Sequence, residues 1–255
     1  MITHKQHQRE PTSKELFKNR TMTIQGLQNA PRDSAFIAVN TEHVAITSEK
    51  DHILHQVGLA YFQTPRQQGS TSLSTSQPCL QDFYVKNQIQ ALTLNINISM
   101  PARRSHRFGQ EQQVGIGNLE AAIIDFIKSC NNKAHLLLIG FEMAAEWAYL
   151  PRFSPQAISF FLAWVDLRDI AKDITSSVRV IPGLTSLLQI FGYHWKDIQP
   201  GKKNLHGCMT DNDGDDAVAT CALANALLFS ENHEKLRFRQ ECGQIAHIFT
   251  RKKGS

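Results

Sequence analysis

Leu92-Thr-Leu-Asn-Ile-Asn-Ile98 alternates apolar and polar residues without a break. Because side chains leave a strand on opposite faces at every step, Leu92, Leu94, Ile96 and Ile98 share one face, which makes this the most secure strand in the chain. Two apolar runs of strand length precede it, Ala35 to Thr41 and Ile53 to Phe62, the second with Gly58 inside it. Gln63 to Pro78 dissolves into Gln, Ser and Thr and reads as a loop. After the basic loop Pro101 to Gly109 the period changes: Leu119, Ala122, Ile123, Phe126 and Ile127 fall on one helical stripe that Asn118 can cap. A strand at His135 to Ile139, a short helix ending at Pro151, mostly helical structure over 155–174, a short helix from Leu184 to Phe191 and a strong helix from Ala217 to Phe229 follow. Three early strands, then helices alternating with a strand, predict an α/β mixed sheet flanked by helices.

Composition agrees with one folded body. The chain has 255 residues, 42% of them apolar before its 14 glycines are added, which permits a packed core and excludes collagen, coiled coil and wholesale disorder. Residues 1–34 are polar and without period and read as a flexible leader, 35–232 as the domain, and 233–255 as an extension ending in the basic Arg251-Lys-Lys253. The net charge of +4 sits on the two ends, since the body 35–250 is net −2, so charge alone supports only weak, salt-sensitive contact with a polyanion. No run reaches the ~18 apolar residues of a bilayer span, and the N-terminus lacks an apolar signal core, so no membrane is expected. Five scattered cysteines without a CxxC pair suggest neither disulfides nor a zinc module and fit a reducing compartment.

The acids raise a sharper question. Asn40 and Glu42 stand two apart at the end of the first strand and leave it on one face. Glu142 and Glu146 are four apart after a strand, the spacing of one helix face. Asp211, Asp213, Asp215 and Asp216 crowd before the last helix. Read as a calcium loop starting at Asp211, that segment would put Asp216 where an EF-hand needs Gly and Ala222 where it needs Glu. Metal-dependent phosphodiester hydrolysis, by contrast, draws carboxylates from distant parts of a chain onto two divalent ions about 4 Å apart.

Taken in order, Ala-Val-Asn40-Thr-Glu42, Val-Gly58-Leu-Ala, Leu-Ile-Gly140-Phe-Glu-Met-Ala-Ala-Glu146-Trp-Ala-Tyr-Leu150 and Asn-Asp-Gly-Asp-Asp216-Ala-Val-Ala-Thr220 resemble the motifs of the DEDDh exonuclease group of the ribonuclease H-like superfamily. Within that group the chain is most similar to the fungal domain at the C-terminus of the "good for full DEAD-box activity" protein. The likeness covers about residues 35–230, including Phe108-Gly109 and Trp164-Val-Asp166-Leu.

The resemblance implies a ribonuclease H-like mixed sheet with Asn40, Glu42, Glu146 and Asp216 as the metal set for Mg²⁺ or Mn²⁺. It also exposes departures. The first motif's Asp is the neutral Asn40, and the second motif's Asp is the longer Glu146. The family's general base is a His five residues before the last Asp, where this chain has Asp211; an alternative alignment through Asn204-Leu205-His206 makes His206 the base.

Three functions follow. One is a nucleic-acid-binding, catalytically impaired exonuclease-like domain that needs no cofactor, with Arg103, Arg104 and Arg107 of the basic loop on phosphates of single-stranded RNA or DNA. Another is an active metal-dependent 3′-to-5′ exonuclease with His206 or Asp211 as base. The third is a protein-docking scaffold that touches no nucleic acid; the resemblance implies proteins of RNA metabolism as partners. In each the resemblance implies a nuclear or cytoplasmic setting. Trp147, Tyr149, Phe160, Phe161 and Trp164 read as a helix packing face, and Cys208 and Cys221 as buried thiols.

Overall fold

An apolar run that is buried on both faces belongs in the middle of a sheet, and Ala35 to Val39 goes there. The computed structural model describes residues 11–31, 33–45, 52–63, 78–96, 106–130, 135–144, 146–176, 181–194 and 212–237. Its strands are β1 (Arg20–Thr21), β2 (Ser34–Ala45), β3 (His52–Gln63), β4 (Gln90–Ile96), β5 (Gln110–Val114), β6 (His135–Gly140) and β7 (Phe161–Asp166). They form one mixed sheet in the order β1-β7-β6-β2-β3-β4-β5. β2, β3 and β4 are antiparallel neighbours; β6 joins β2 in parallel, as do β7 on β6, β1 on β7 and β5 on β4. The helices are α1 (Pro11–Lys18), α2 (Ile24–Gln28), α3 (Leu80–Lys86), α4 (Leu119–Cys130), α5 (Glu146–Phe153), α6 (Leu167–Thr175), α7 (Leu184–Ile190) and α8 (Asp213–Leu228). The α/β class with a mixed, helix-flanked sheet is thus the observed architecture, and it is compatible with a ribonuclease H-like fold.

The alternation along β2 divides the core in two. Phe36 and Ala38 face α8, with Ala60 and Phe62 of β3 beside them. Ala35, Ile37 and Val39 face the other layer, where Leu119, Ile123 and Phe126 of α4 and Trp147 of α5 pack. Nearly every residue of α8 is buried, Ala217, Val218, Cys221 and Ala222 completely, as suits a helix whose apolar and small residues run all round it. Cys221 lies in this core and burial pushes its thiol up, so it is no nucleophile. Among the described residues no helix is long and apolar enough to cross a membrane.

Several elements differ from the sequence reading. Residues 161–166, expected within a helical stretch, form strand β7, with Trp164 buried on one face and Val165 on the other. β5 was not foreseen: Gln-Glu-Gln-Gln-Val is exposed at the sheet's edge except at Val114, so no apolar period marks it. α8 begins at Asp213, four residues before Ala217, because Asn212 caps it. Residues 11–31, read as leader, build α1, β1 and α2; Leu16 and Leu27 are buried in opposite layers. Phe17 lies against both indoles, 5.5 Å from Trp147 and 5.6 Å from Trp164 between ring centroids.

Candidate functional site

The parallel pairing of β2 with β6 ends at Ala38↔Ile139, while β2 runs on to Ala45. Asn40, Thr41 and Glu42 therefore stand past the end of β6, in the kind of crevice at strand carboxyl ends where open α/β sheets place their sites. The chain leaving β6 turns back over this gap. Asp166 holds the turn by accepting from the backbone N–H of Glu142 at 3.2 Å and of Met143 at 3.1 Å, while also capping α6 through the Arg168 N–H at 3.0 Å. Glu142 adopts a left-handed φ of 63° in that turn and pairs with Arg168. Glu142 and Glu146 are therefore not on one helix face, as their spacing had suggested. Only Glu146, the first residue of α5, enters the crevice, where it meets the Thr41 backbone.

The N-terminus of α8 closes the other side. Asn212 accepts from the N–H of Gly214 at 3.0 Å and of Asp215 at 3.3 Å and from the Thr93 hydroxyl at 3.1 Å. Two glycines allow this approach: a Cβ on Gly58 would lie 1.9 Å from the Asp213 carbonyl oxygen, and one on Gly214 would lie 2.1 Å from Thr93 Oγ1. Asp213 then points at β2, and its Oδ1 accepts from Asn40 Nδ2 at 2.9 Å.

Four of the residues singled out from the sequence come together here. Glu42, Asp216 and Glu146 all act electrostatically on Asp213, and Asn40 bonds to it. Asp213 itself had been only one acid of a cluster, since nothing in the sequence distinguishes it from Asp211 or Asp215. His55 was also missed: it lies at the irregularity in the β2–β3 register, fully buried, with Nε2 3.7 Å from Glu42 Oε2. Its one sequence signal is a polar His-Gln pair inside an apolar strand.

Burial dominates the electrostatics. It pushes the Asp213 carboxyl well above the usual range, with the charges of Glu42, Asp216 and Glu146 adding to the effect and the Asn40 hydrogen bond opposing it. Glu146 is pushed up to about 8, again by burial first, with Asp166 and Glu142 adding to it and backbone hydrogen bonds from its own residue and Thr41 opposing. Burial thus favours the neutral form of both acids. Among the described residues, Asp213 Oδ2 and Glu146 Oε2 have no hydrogen-bond partner, which a neutral acid tolerates far better than a carboxylate.

Asp215 faces away, toward the basic loop. It accepts from the Arg107 N–H at 3.0 Å and from Arg107 Nε at 2.7 Å, and the guanidinium lies 4.8 Å from the centroid of the Phe108 ring. Arg107 thus anchors the end of that loop to α8. Next to it a polar chain crosses the sheet. Asp213 N–H donates to Gln56 Oε1 at 2.7 Å, Gln56 Nε2 to Asn95 Oδ1 at 2.6 Å, and Asn95 Nδ2 to Glu111, which is 2.8 Å from His106 Nδ1. Arg103, Arg104, His206 and Asp211 lie outside the described residues.

Among the described residues no group of three or more His, Cys, Asp or Glu side chains is placed to hold a metal ion. At the centre the Asn40 amide meets the Asp213 carboxyl, with Glu42, Glu146 and Asp216 around them. In comparisons with protein-family models and with curated proteins the chain finds no match.

Proposed function

We propose that this chain is a nucleic-acid-binding domain of the exonuclease type whose hydrolytic centre is impaired. One observation carries the reading: Asn40 Nδ2 donates to Asp213 Oδ1 at 2.9 Å. Two-metal hydrolysis needs ionised oxygens around both cations. Position 40, which the resemblance assigns to the bridging acid, instead turns an N–H donor toward the centre, and a donor repels a cation. Burial of the acid that faces it also disfavours the charge a cation would need.

A centre without this chemistry suits a domain that holds single-stranded RNA or DNA without cutting it. Arg103 and Arg104, close before Arg107 in the sequence, are the phosphate contacts of this reading. Proteins of RNA metabolism as further partners, and a nuclear or cytoplasmic setting, accompany it on the resemblance alone. Mg²⁺ or Mn²⁺ belongs to the active alternative.

The test is incubation of end-labelled single-stranded RNA and DNA with the full chain in Mn²⁺, beside Glu42→Ala, with binding followed by fluorescence anisotropy. The expected result is intact strands and an affinity that falls with salt, the slope of log affinity against log salt shrinking by about 1 for each of Arg103→Ala and Arg104→Ala. A ladder that disappears in Glu42→Ala would establish a 3′-to-5′ exonuclease instead. Intact strands that do not bind at low salt would leave protein docking as the function.

A further inference from the structure

Main-chain placement decides what faces Asn40. In the β2–β3 register Asn40 stands opposite Gly58, and the space a Gly58 Cβ would need is filled by the Asp213 carbonyl, so the first turn of α8 rests on this pair. Gln56 fixes the same residue from β3 by accepting the Asp213 N–H at 2.7 Å. With its backbone clamped in this way, residue 213 presents its side chain to residue 40, and the two meet at 2.9 Å.

Few residue pairs suit that contact. Two acids would set two carboxyl groups within hydrogen-bonding distance of each other, with Glu42, Glu146 and Asp216 around them, and would need a proton or a cation between them. One acid and one amide satisfy each other directly. We infer that Asn40 and Asp213 are an exchanged pair: the carboxylate that the ribonuclease H-like pattern places on the central strand stands here on the first turn of α8, and the Asn40 amide does the work of a cation. This rests on the proposed reading only for the role of position 40. Its consequence is that Asn40→Asp does not simply repair a missing ligand. It turns a self-sufficient centre into one that requires a proton or a cation.

Thermal melts of the full chain, Asn40→Asp, Asp213→Asn and the double variant, each in EDTA and in millimolar Mn²⁺, test this. In EDTA, Asn40→Asp is expected to lose about 5–10 °C, Asp213→Asn less, and the double variant to return close to the natural melting temperature, so that the losses are not additive. Mn²⁺ is expected to restore most of the loss in Asn40→Asp, to act more weakly on the double variant, and to leave the natural protein unmoved. Should Asn40→Asp fail to fold in EDTA, folding of the double variant there carries the same conclusion, and failure of both overturns it. Additive losses, or a natural protein whose melting temperature rises with Mn²⁺ as much as that of Asn40→Asp, would also overturn the exchange. Those results are distinct from a failure of the functional reading, which shows as a nuclease ladder from the natural protein whatever the melts give.

Discussion

Glu146 is 3% exposed, and its folded and unfolded states hold a proton over different ranges. With the folded value pushed up to about 8 from the usual 4.5, the unfolded chain gives up the proton first as pH rises. The favourable contribution of the neutral acid is thus complete below about pH 4.5 and is lost progressively until about pH 8, at no more than about 1.4 kcal/mol per pH unit. Glu146→Gln keeps the shape and removes the titration. Its stability relative to the natural protein is therefore expected to grow steadily from pH 5 to pH 8 in urea melts, and parallel curves would show that Glu146 titrates normally. The site's legibility at this scale depends on type and order. Glu42, Glu146 and Asp216 could be singled out by their order and spacing along the chain; Asp213 could not, because its distinction is a contact 173 positions away. His55 shows its place only once the β2–β3 irregularity brings it to Glu42.

The elements are set by where backbone is allowed to touch backbone, and the contact of α8 with β3 is the closest of these. Gly58→Ala would drive a methyl group to 1.9 Å from the Asp213 carbonyl, so α8 must lift from the sheet. A loss of about 3 kcal/mol is expected in chemical denaturation. Gly117→Ala, with nothing within 4 Å of the added atom, is expected to stay within about 0.5 kcal/mol of the natural protein and serves as the control. Equal losses in the two variants would mean that α8 does not rest on β3 as described. Asn212→Ala removes the cap of the same helix and leaves the Thr93 hydroxyl without its acceptor, for a loss of about 1–2 kcal/mol. β2, β3, β4 and β6 were legible because each carries an apolar run or an alternating apolar face of strand length. β7 was not, because apolar residues on both faces of a strand imitate a buried helix, as Trp164 and Val165 do. β5 carries no such signal at all, since an exposed edge strand of Gln and Glu has no face to bury.

The whole molecule closes through its first described residues. β1 extends the sheet beyond β7, with Arg20 paired to Asp169 and its guanidinium 4.7 Å from the centroid of the Trp164 ring. Asp173 accepts the Ile24 N–H at 2.8 Å, and the Trp164 indole donates to the Phe17 carbonyl at 3.1 Å. These contacts join residues some 150 positions apart, which is why a polar segment without a period revealed none of them. Only a few apolar side chains of the segment are buried, yet Leu16 and Phe17 cover the face on which Trp147 and Trp164 meet edge to face. At about 2 kcal/mol for each such side chain, their removal uncovers roughly 4 kcal/mol of packing, or about 10 °C in a body of this size. Deletion of residues 1–18 is accordingly expected to lower the melting temperature by that amount and to shift tryptophan emission to longer wavelength as water reaches the indoles. Phe17→Ala in the full chain should reproduce about half of the thermal loss and part of the shift. A truncated chain that melts and emits like the whole would mean that the sheet and its two layers are complete without α1, and that this segment is an appendage.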